Sequence, residues 1–192
     1  MSVRIAINGF GRIGRSCLRA LYENNYRESF SVVLINEPAP AESMAHLLKY
    51  DSSHGRFKFP VAYAGEILTV AGDSIALTHE TEIEAIDWAE HAVDIVIDCT
   101  GVFGSQADGQ RYLQQGVKRV LFSHPGTPDV DFTAIYGIND AELTSNHKVV
   151  SNGSCTTNCI VPVIKLIDDA FGIDSGACLL YTSDAADDLT RV

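Results

Sequence analysis

Val3-Arg4-Ile5-Ala6-Ile7-Asn8-Gly9-Phe10-Gly11-Arg12-Ile13-Gly14-Arg15 is the stretch that decides how this chain folds. Val3 to Ile7 is a short apolar run broken only by Arg4, and it leads directly into three glycines. The pattern reads as strand, glycine turn, helix. Gly9, Gly11 and Gly14 fit the G-x-G-x-x-G spacing. In that spacing the first glycine allows a tight turn, the second lets backbone approach a pyrophosphate, and the third lets helix pack on strand. The helix that follows would aim its free N–H groups at the phosphates. Phe10, Arg12 and Ile13 fall in the same loop and helix start.

A second strand, Ser31 to Asn36, ends in Glu37, where the fingerprint expects an acid to accept hydrogen bonds from a ribose. An acid there disfavours a 2′-phosphate, so the reading is NAD over NADP. A solvated loop acid beside Pro38 is the competing reading of Glu37. Further strands are expected at Val3–Ile7, Val32–Ile35, Val93–Cys99, Arg119–Phe122 and Val149–Ser151, and helices at Gly11–Tyr22, Ala41–Leu48 and Gln106–Gln115. This alternation predicts an α/β fold, a doubly wound and mostly parallel Rossmann sheet covered on both faces. Glu66–Val70 and Ser74–Leu77 flank Gly72-Asp73 and read as an antiparallel hairpin inserted in that plan. Thr100-Gly101 and Ser123 close two strands at their carboxyl ends, where open α/β sheets place ligands. Ordinary strand-to-loop turns are the alternative for both.

The 192 residues allow one generous domain, or one domain and the beginning of another, and an apolar fraction of 46% is ample for a core. A formal charge of −11 repels phosphodiester backbones and argues against a general nucleic-acid role. It leaves room for a small basic pocket that takes a phosphorylated metabolite. Five cysteines in no framework spacing point to a reducing compartment. No apolar run reaches membrane-spanning length and no cleavable leader precedes the first strand, so a cytoplasmic protein with no membrane partner is expected. No metal site is expected.

Ser151-Asn152-Gly153-Ser154-Cys155-Thr156-Thr157-Asn158-Cys159 is the second informative stretch. It puts a thiol among hydroxyl and amide side chains at the start of a helix. Unpaired N–H groups and the partial positive charge of a helix N-terminus favour thiolate over thiol, which makes Cys155 a candidate nucleophile. Ile160, Val163, Ile164, Ile167 and Phe171 form a stripe expected to bury one face, with a kink or early turn at Pro162. A buried core cysteine is the bland alternative. Cys17, Cys99 and Cys159 read as packing residues.

With both stretches in hand the chain resembles the glyceraldehyde-3-phosphate dehydrogenase family from Val3 to about Gly176. The blocks that carry the resemblance are Ile7 to Arg15, Lys49-Tyr50-Asp51-Ser52-Ser53-His54-Gly55, Asp98-Cys99-Thr100-Gly101-Val102-Phe103 and Ser151 to Cys159. Asn36-Glu37, Met44 to Tyr50 and Leu121-Phe122-Ser123-His124-Pro125-Gly126 resemble the branch of that family that acts on erythrose 4-phosphate. The resemblance implies an NAD-binding domain over residues 1–151 and the first helix of an α+β catalytic domain over 152–176. It implies that Cys155 attacks the aldehyde of a small phosphorylated aldose, that hydride passes to NAD, and that water releases 4-phosphoerythronate for pyridoxal phosphate biosynthesis. Ser154, Cys155 and Thr156 would contact substrate. Gly9, Phe10, Gly11, Arg12, Ile13, Glu37, Thr100, Gly101 and Ser123 would hold the cofactor. The family further implies a homotetramer for its full-length members.

Departures are expected at the end of the chain. Thr182 stands where the family has the histidine that activates the thiol, and Asp184, Asp187 and Asp188 match none of its members. Residues 177–192 therefore read as a non-native tail of a truncated coding sequence, and the 192-residue chain is expected to be inactive. Thr81 replaces a basic residue that relatives often carry beside the adenine. Three other readings stay open: a phosphorylating glyceraldehyde-3-phosphate dehydrogenase, an NAD-binding fragment without chemistry, and a redox-sensing thiol protein.

Overall fold

In chain order the elements are β1 (Val3–Asn8), α1 (Arg12–Glu23), β2 (Phe30–Asn36), α2 (Ala41–Lys49), β3 (Tyr50–Asp51), β4 (Gly55–Arg56), β5 (Val61–Ala64), β6 (Ile67–Val70), β7 (Asp73–Thr78), β8 (Ile95–Asp98), α3 (Gln106–Gln114), β9 (Arg119–Phe122), β10 (Phe132–Thr133), β11 (Val149–Ser151) and α4 (Cys155–Phe171). The computed structural model describes residues 2–178. One nine-stranded sheet runs in the order β10-β11-β9-β8-β1-β2-β7-β6-β5. Every pairing from β10 to β7 is parallel, and β7, β6 and β5 form an antiparallel meander at the far edge. The doubly wound, mostly parallel plan holds.

Alternation along β1 sorts the two cores. Ile5 and Ile7 pack with Leu18 and Tyr22 of α1 and with Met44 and Leu48 of α2 on one face. Ala6 joins Leu34, Val96, Trp88, Tyr112, Val120 and Val149 on the other, where α3 lies. Each fully buried large apolar side chain here contributes about 1.5–3 kcal/mol. On β2 the register slips between the partners of Ile5 and Ala6, which face Val32 and Leu34. Val33 is the extra residue. The bulge turns Val33 and Leu34 to the same side and restores the alternation at Ile35.

The hairpin is present, with its turn at Ala71-Gly72 and Asp73 as the first residue of β7. Both turn residues have positive φ, 51° for Ala71 and 93° for Gly72, as a two-residue primed turn requires. The strand expected over Val93–Cys99 is shorter, Ile95–Asp98, because Val93 N–H turns to the Trp88 carbonyl. β3, β4 and β10 have two residues each, too few for a periodicity to register.

One expectation fails. α4 runs through Pro162 as a single helix of 17 residues, and none of them is buried. Leu166 is 72% exposed and Phe171 87%. A stripe specifies which face of a helix is apolar, whereas burial needs an opposing surface, and the described residues provide none there.

Candidate functional site

Six successive register pairs carry a single line of residues across the carboxyl ends of the parallel strands: Thr78, Asn36, Asn8, Asp98, Phe122, Ser151 and Thr133. Among the described residues, four of the five buried polar side chains, Asn36, Asn8, Asp98 and Ser151, stand in this line, and the fifth is Arg19. Buried polar groups carry a desolvation cost unless they are bonded, so their gathering at one end of the sheet marks a built feature. Asn36 Nδ2 donates to Asn8 Oδ1 at 2.8 Å, and its Oδ1 accepts from Thr78 Oγ1 and Glu80 N. Asn8 Nδ2 donates to the Tyr112 hydroxyl at 2.6 Å, and that hydroxyl donates to Asp98 at 2.5 Å. Asp98 also accepts from Thr100 N and Oγ1 at 3.0 and 2.7 Å. Burial pushes the Asp98 carboxyl up from its ordinary pKa, while the bonds from Tyr112 and Thr100 hold it down.

Above this line sit the glycines. A Cβ on Gly9 would lie 2.7 Å from Thr100 N, and one on Gly14 would lie 2.2 Å from the Gly9 carbonyl oxygen. Neither position admits a side chain. Gly11 has nothing within 4 Å, so the middle glycine faces open space. It is also the N-cap of α1, with no side-chain cap and no acid in the first turn. Free N–H groups therefore point into that opening, as an anion site needs. α3, by contrast, is closed by a Ser105–Asp108 capping box, and α4 by Ser154, whose Oγ accepts the Thr157 N–H at 2.9 Å.

The opening is a cleft of about 440 Å³. Gly9, Gly11, Glu37, Thr81, Thr100 and Phe103 are among its lining residues. Glu37 accepts the Phe10 N–H at 2.6 Å with Oε2. Phe10 itself is a core residue, so only its backbone belongs to the loop. Arg12 and Ile13 are exposed at the first turn of α1, and Gly101 is exposed beside Thr100. Ser123 follows Phe122 out of β9 and donates its N–H to the Asp98 carbonyl at 2.9 Å. A larger hollow of about 900 Å³ opens at the other end of the sheet, around Arg4, Asp94 and Lys118. Its cations are already engaged, Arg4 on the His91 and Ala92 carbonyls and Lys118 on Asp94.

Cys155 is exposed at the first position of α4, four residues after Ser151 in the polar line. Asn158 Nδ2 pins the approach by donating to the Asn152 and Ser154 carbonyls. From β11 to β1 is three strand spacings, roughly 14 Å at about 4.8 Å each. Glycine loop and thiol thus open on the same side of one sheet. Cys159 is exposed as well, against its reading as a packing residue, because among the described residues α4 has no opposing surface. The Thr182 and Asp184 to Asp188 readings lie outside the described residues.

Sequence reading did not find the Asn36–Asn8–Tyr112–Asp98 chain. The available signal was a polar residue closing each apolar run, at Asn8, Asn36 and Asp98.

A glycine turn and an uncapped helix at the point where strand order reverses define a dinucleotide-binding domain. Residues 3–106 match the family model described as glyceraldehyde 3-phosphate dehydrogenase, NAD binding domain, and residues 154–190 match the C-terminal domain of the same family. The chain belongs to the glyceraldehyde 3-phosphate dehydrogenase family: it is an NAD-dependent dehydrogenase, and NAD is its cofactor. The second match runs past Gly176 to residue 190, which corrects the expectation that Asp184, Asp187 and Asp188 fall in a stretch matching no member of the family. Among the described residues no helix is long and apolar enough to cross a membrane.

Proposed function

We propose that this chain carries the NAD-binding domain, residues 1–151, and the nucleophile-bearing first catalytic helix, from residue 152, of a D-erythrose-4-phosphate dehydrogenase. The observation behind this reading is an exposed thiol, Cys155, at the first turn of α4, on the side of the sheet where the glycine cleft opens. In this reading the Cys155 thiolate attacks the aldehyde carbon and forms a thiohemiacetal. NAD, when bound, accepts the hydride. The thioester left on Cys155 is cleaved by water to 4-phosphoerythronate, which places the reaction in pyridoxal phosphate biosynthesis. Ser154 Oγ is engaged with Thr157, so the Cys155 N–H and the Thr156 hydroxyl are the first-turn donors for the developing oxyanion. The Asn36-Glu37 and Leu121 to Gly126 marks support erythrose 4-phosphate as substrate.

The name of the matched family favours a second reading, phosphorylating oxidation of glyceraldehyde 3-phosphate. The test compares both aldehydes, with and without inorganic phosphate, in a full-length relative that carries the same four motif blocks. Phosphate-independent turnover of erythrose 4-phosphate supports the first reading, and phosphate-dependent turnover of glyceraldehyde 3-phosphate replaces it with the second. Calorimetry should show NAD binding by this chain, with the cleft that Gly9, Gly11 and Glu37 line as the site.

A further inference from the structure

We infer that Tyr112, which lies in the core beneath the cleft and lines no part of it, is a positioning residue for NAD, acting through Asp98 on Thr100 and through Asn8 on the glycine loop. Tyr112 comes from α3, on the opposite face of the sheet from α1. It is fully buried, its ring edge-on to Trp88 at 5.4 Å and to Phe103 at 6.4 Å. Its hydroxyl is used twice, accepting from Asn8 Nδ2 at 2.6 Å and donating to Asp98 Oδ2 at 2.5 Å.

Asn8 lines the cleft itself, and Asp98 lies two residues before Thr100, which lines it too. Asn8 precedes Gly9, whose Cα rests against Thr100 N so closely that no Cβ fits. Asp98 holds Thr100 by its N–H and its hydroxyl, and Thr100 Oγ1 in turn accepts the Val102 N–H at 3.1 Å. Thr100 and Val102 line the cleft opposite Gly11 and Glu37. The phenol thus ties together the exits of two adjacent, paired strands, β1 and β8, beneath the cleft. Without it Asn8 has only the 3.4 Å approach to Asp98 on that side, and Asp98 loses its shortest donor.

Loss of that donor also changes how Asp98 titrates. The groups that face Asp98 are the Tyr112 phenol from α3, Asn8 from β1, Thr100 and the Cys99 thiol from its own loop, and His124 from the segment after β9. Burial already raises the Asp98 carboxyl, and the Tyr112 bond opposes that rise. Removing the bond raises it further. A protonated Asp98 has lost its negative charge, so its Oδ1 is a weaker acceptor for Thr100 and the cleft wall loosens as pH falls.

The experiment is calorimetric titration of the 192-residue chain with NAD from pH 6 to pH 8, in the parent, Tyr112→Phe, Thr100→Val and the double variant. Tyr112→Phe keeps the ring packing and removes only the hydroxyl. Its Kd for NAD should rise roughly tenfold at pH 7.5 and more at pH 6, while the parent stays flat. Thr100→Val should lose a similar factor with no pH dependence, and the double variant should lose no more than the larger single loss. An unchanged Kd in folded Tyr112→Phe, a pH profile parallel to the parent, or additive losses in the double variant would each overturn the inference. Should Tyr112→Phe fail to fold, Thr100→Val decides alone: parent-like affinity there removes the link through Asp98. Failure of the parent to bind NAD is a separate outcome that strikes the cofactor cleft itself.

Discussion

α1 and α4 each follow a parallel strand and a glycine-bearing turn, yet they meet opposite fates. α1 is the more polar, with Arg12, Arg15, Arg19 and Glu23 among its 12 residues, and it buries Gly14, Leu18, Arg19 and Tyr22. α4 is the longer and more apolar, and it buries nothing. What separates them is the neighbour. Arg19 is buried because its guanidinium lies over the Phe57 ring and donates to the Gly55 carbonyl at 2.9 Å, whereas Leu166 has no surface to meet among the described residues. Apolar content sets how much a helix can gain from contact, and the tertiary context decides whether the gain is collected.

The comparison can be broken most directly by truncation. Leu18→Ala should cost about 3 kcal/mol in urea unfolding, as a fully buried leucine, while Leu166→Ala should stay within about 0.5 kcal/mol. Equal losses at the two sites would mean that α4 is covered in solution. A smaller effect comes from the turn that feeds α1. Gly14→Ala should cost about 2 kcal/mol and at least about tenfold in NAD affinity, since its Cβ would meet the Gly9 carbonyl oxygen. Gly153→Ala tests the turn before α4, where φ is +66° and a Cβ would meet Ile135 at 2.8 Å. It should cost about 1 kcal/mol with NAD affinity unchanged.

The smallest effect is electrostatic and confined to the cleft side. Burial works against the charge of His79, but the Glu37 carbonyl and the Glu66 carboxylate outweigh it, and its pKa stands above the ordinary 6.5. A raised folded value means stability that is full below pH 6.5 and lost as pH rises through that value. Parent protein should lose under about 1 kcal/mol across this window, and His79→Gln should not. Urea midpoints at pH 6 and pH 8 check it. Lys165 and Asp169 of α4 are exposed, and their pairing should leave no trace in the same measurement.

Legibility followed the same division. Val3 to Gly14 was readable because Gly9 and Gly14 have steric reasons that their spacing reveals, and the parallel strands were legible as apolar runs. Glu37 lines the cleft, and its bond to Phe10 N depends on how the loop folds back, which spacing does not encode. Tyr112 was invisible for a plainer reason. It lies 104 residues from Asn8, and a buried tyrosine on a helix looks in sequence like any other core aromatic. The stripe on α4 was legible as a pattern and misleading as a prediction of burial, because its partner surface is not written into the helix.

The polar line at the strand exits leaves the strand starts unencumbered. The connections that face the other way, at 23–29, 89–93 and 115–118, carry none of the residues that shape the cleft. Lengthening them, or grafting a fluorescent tag or an affinity peptide into them, should leave cofactor capture intact, so this side of the molecule is a natural place for a handle.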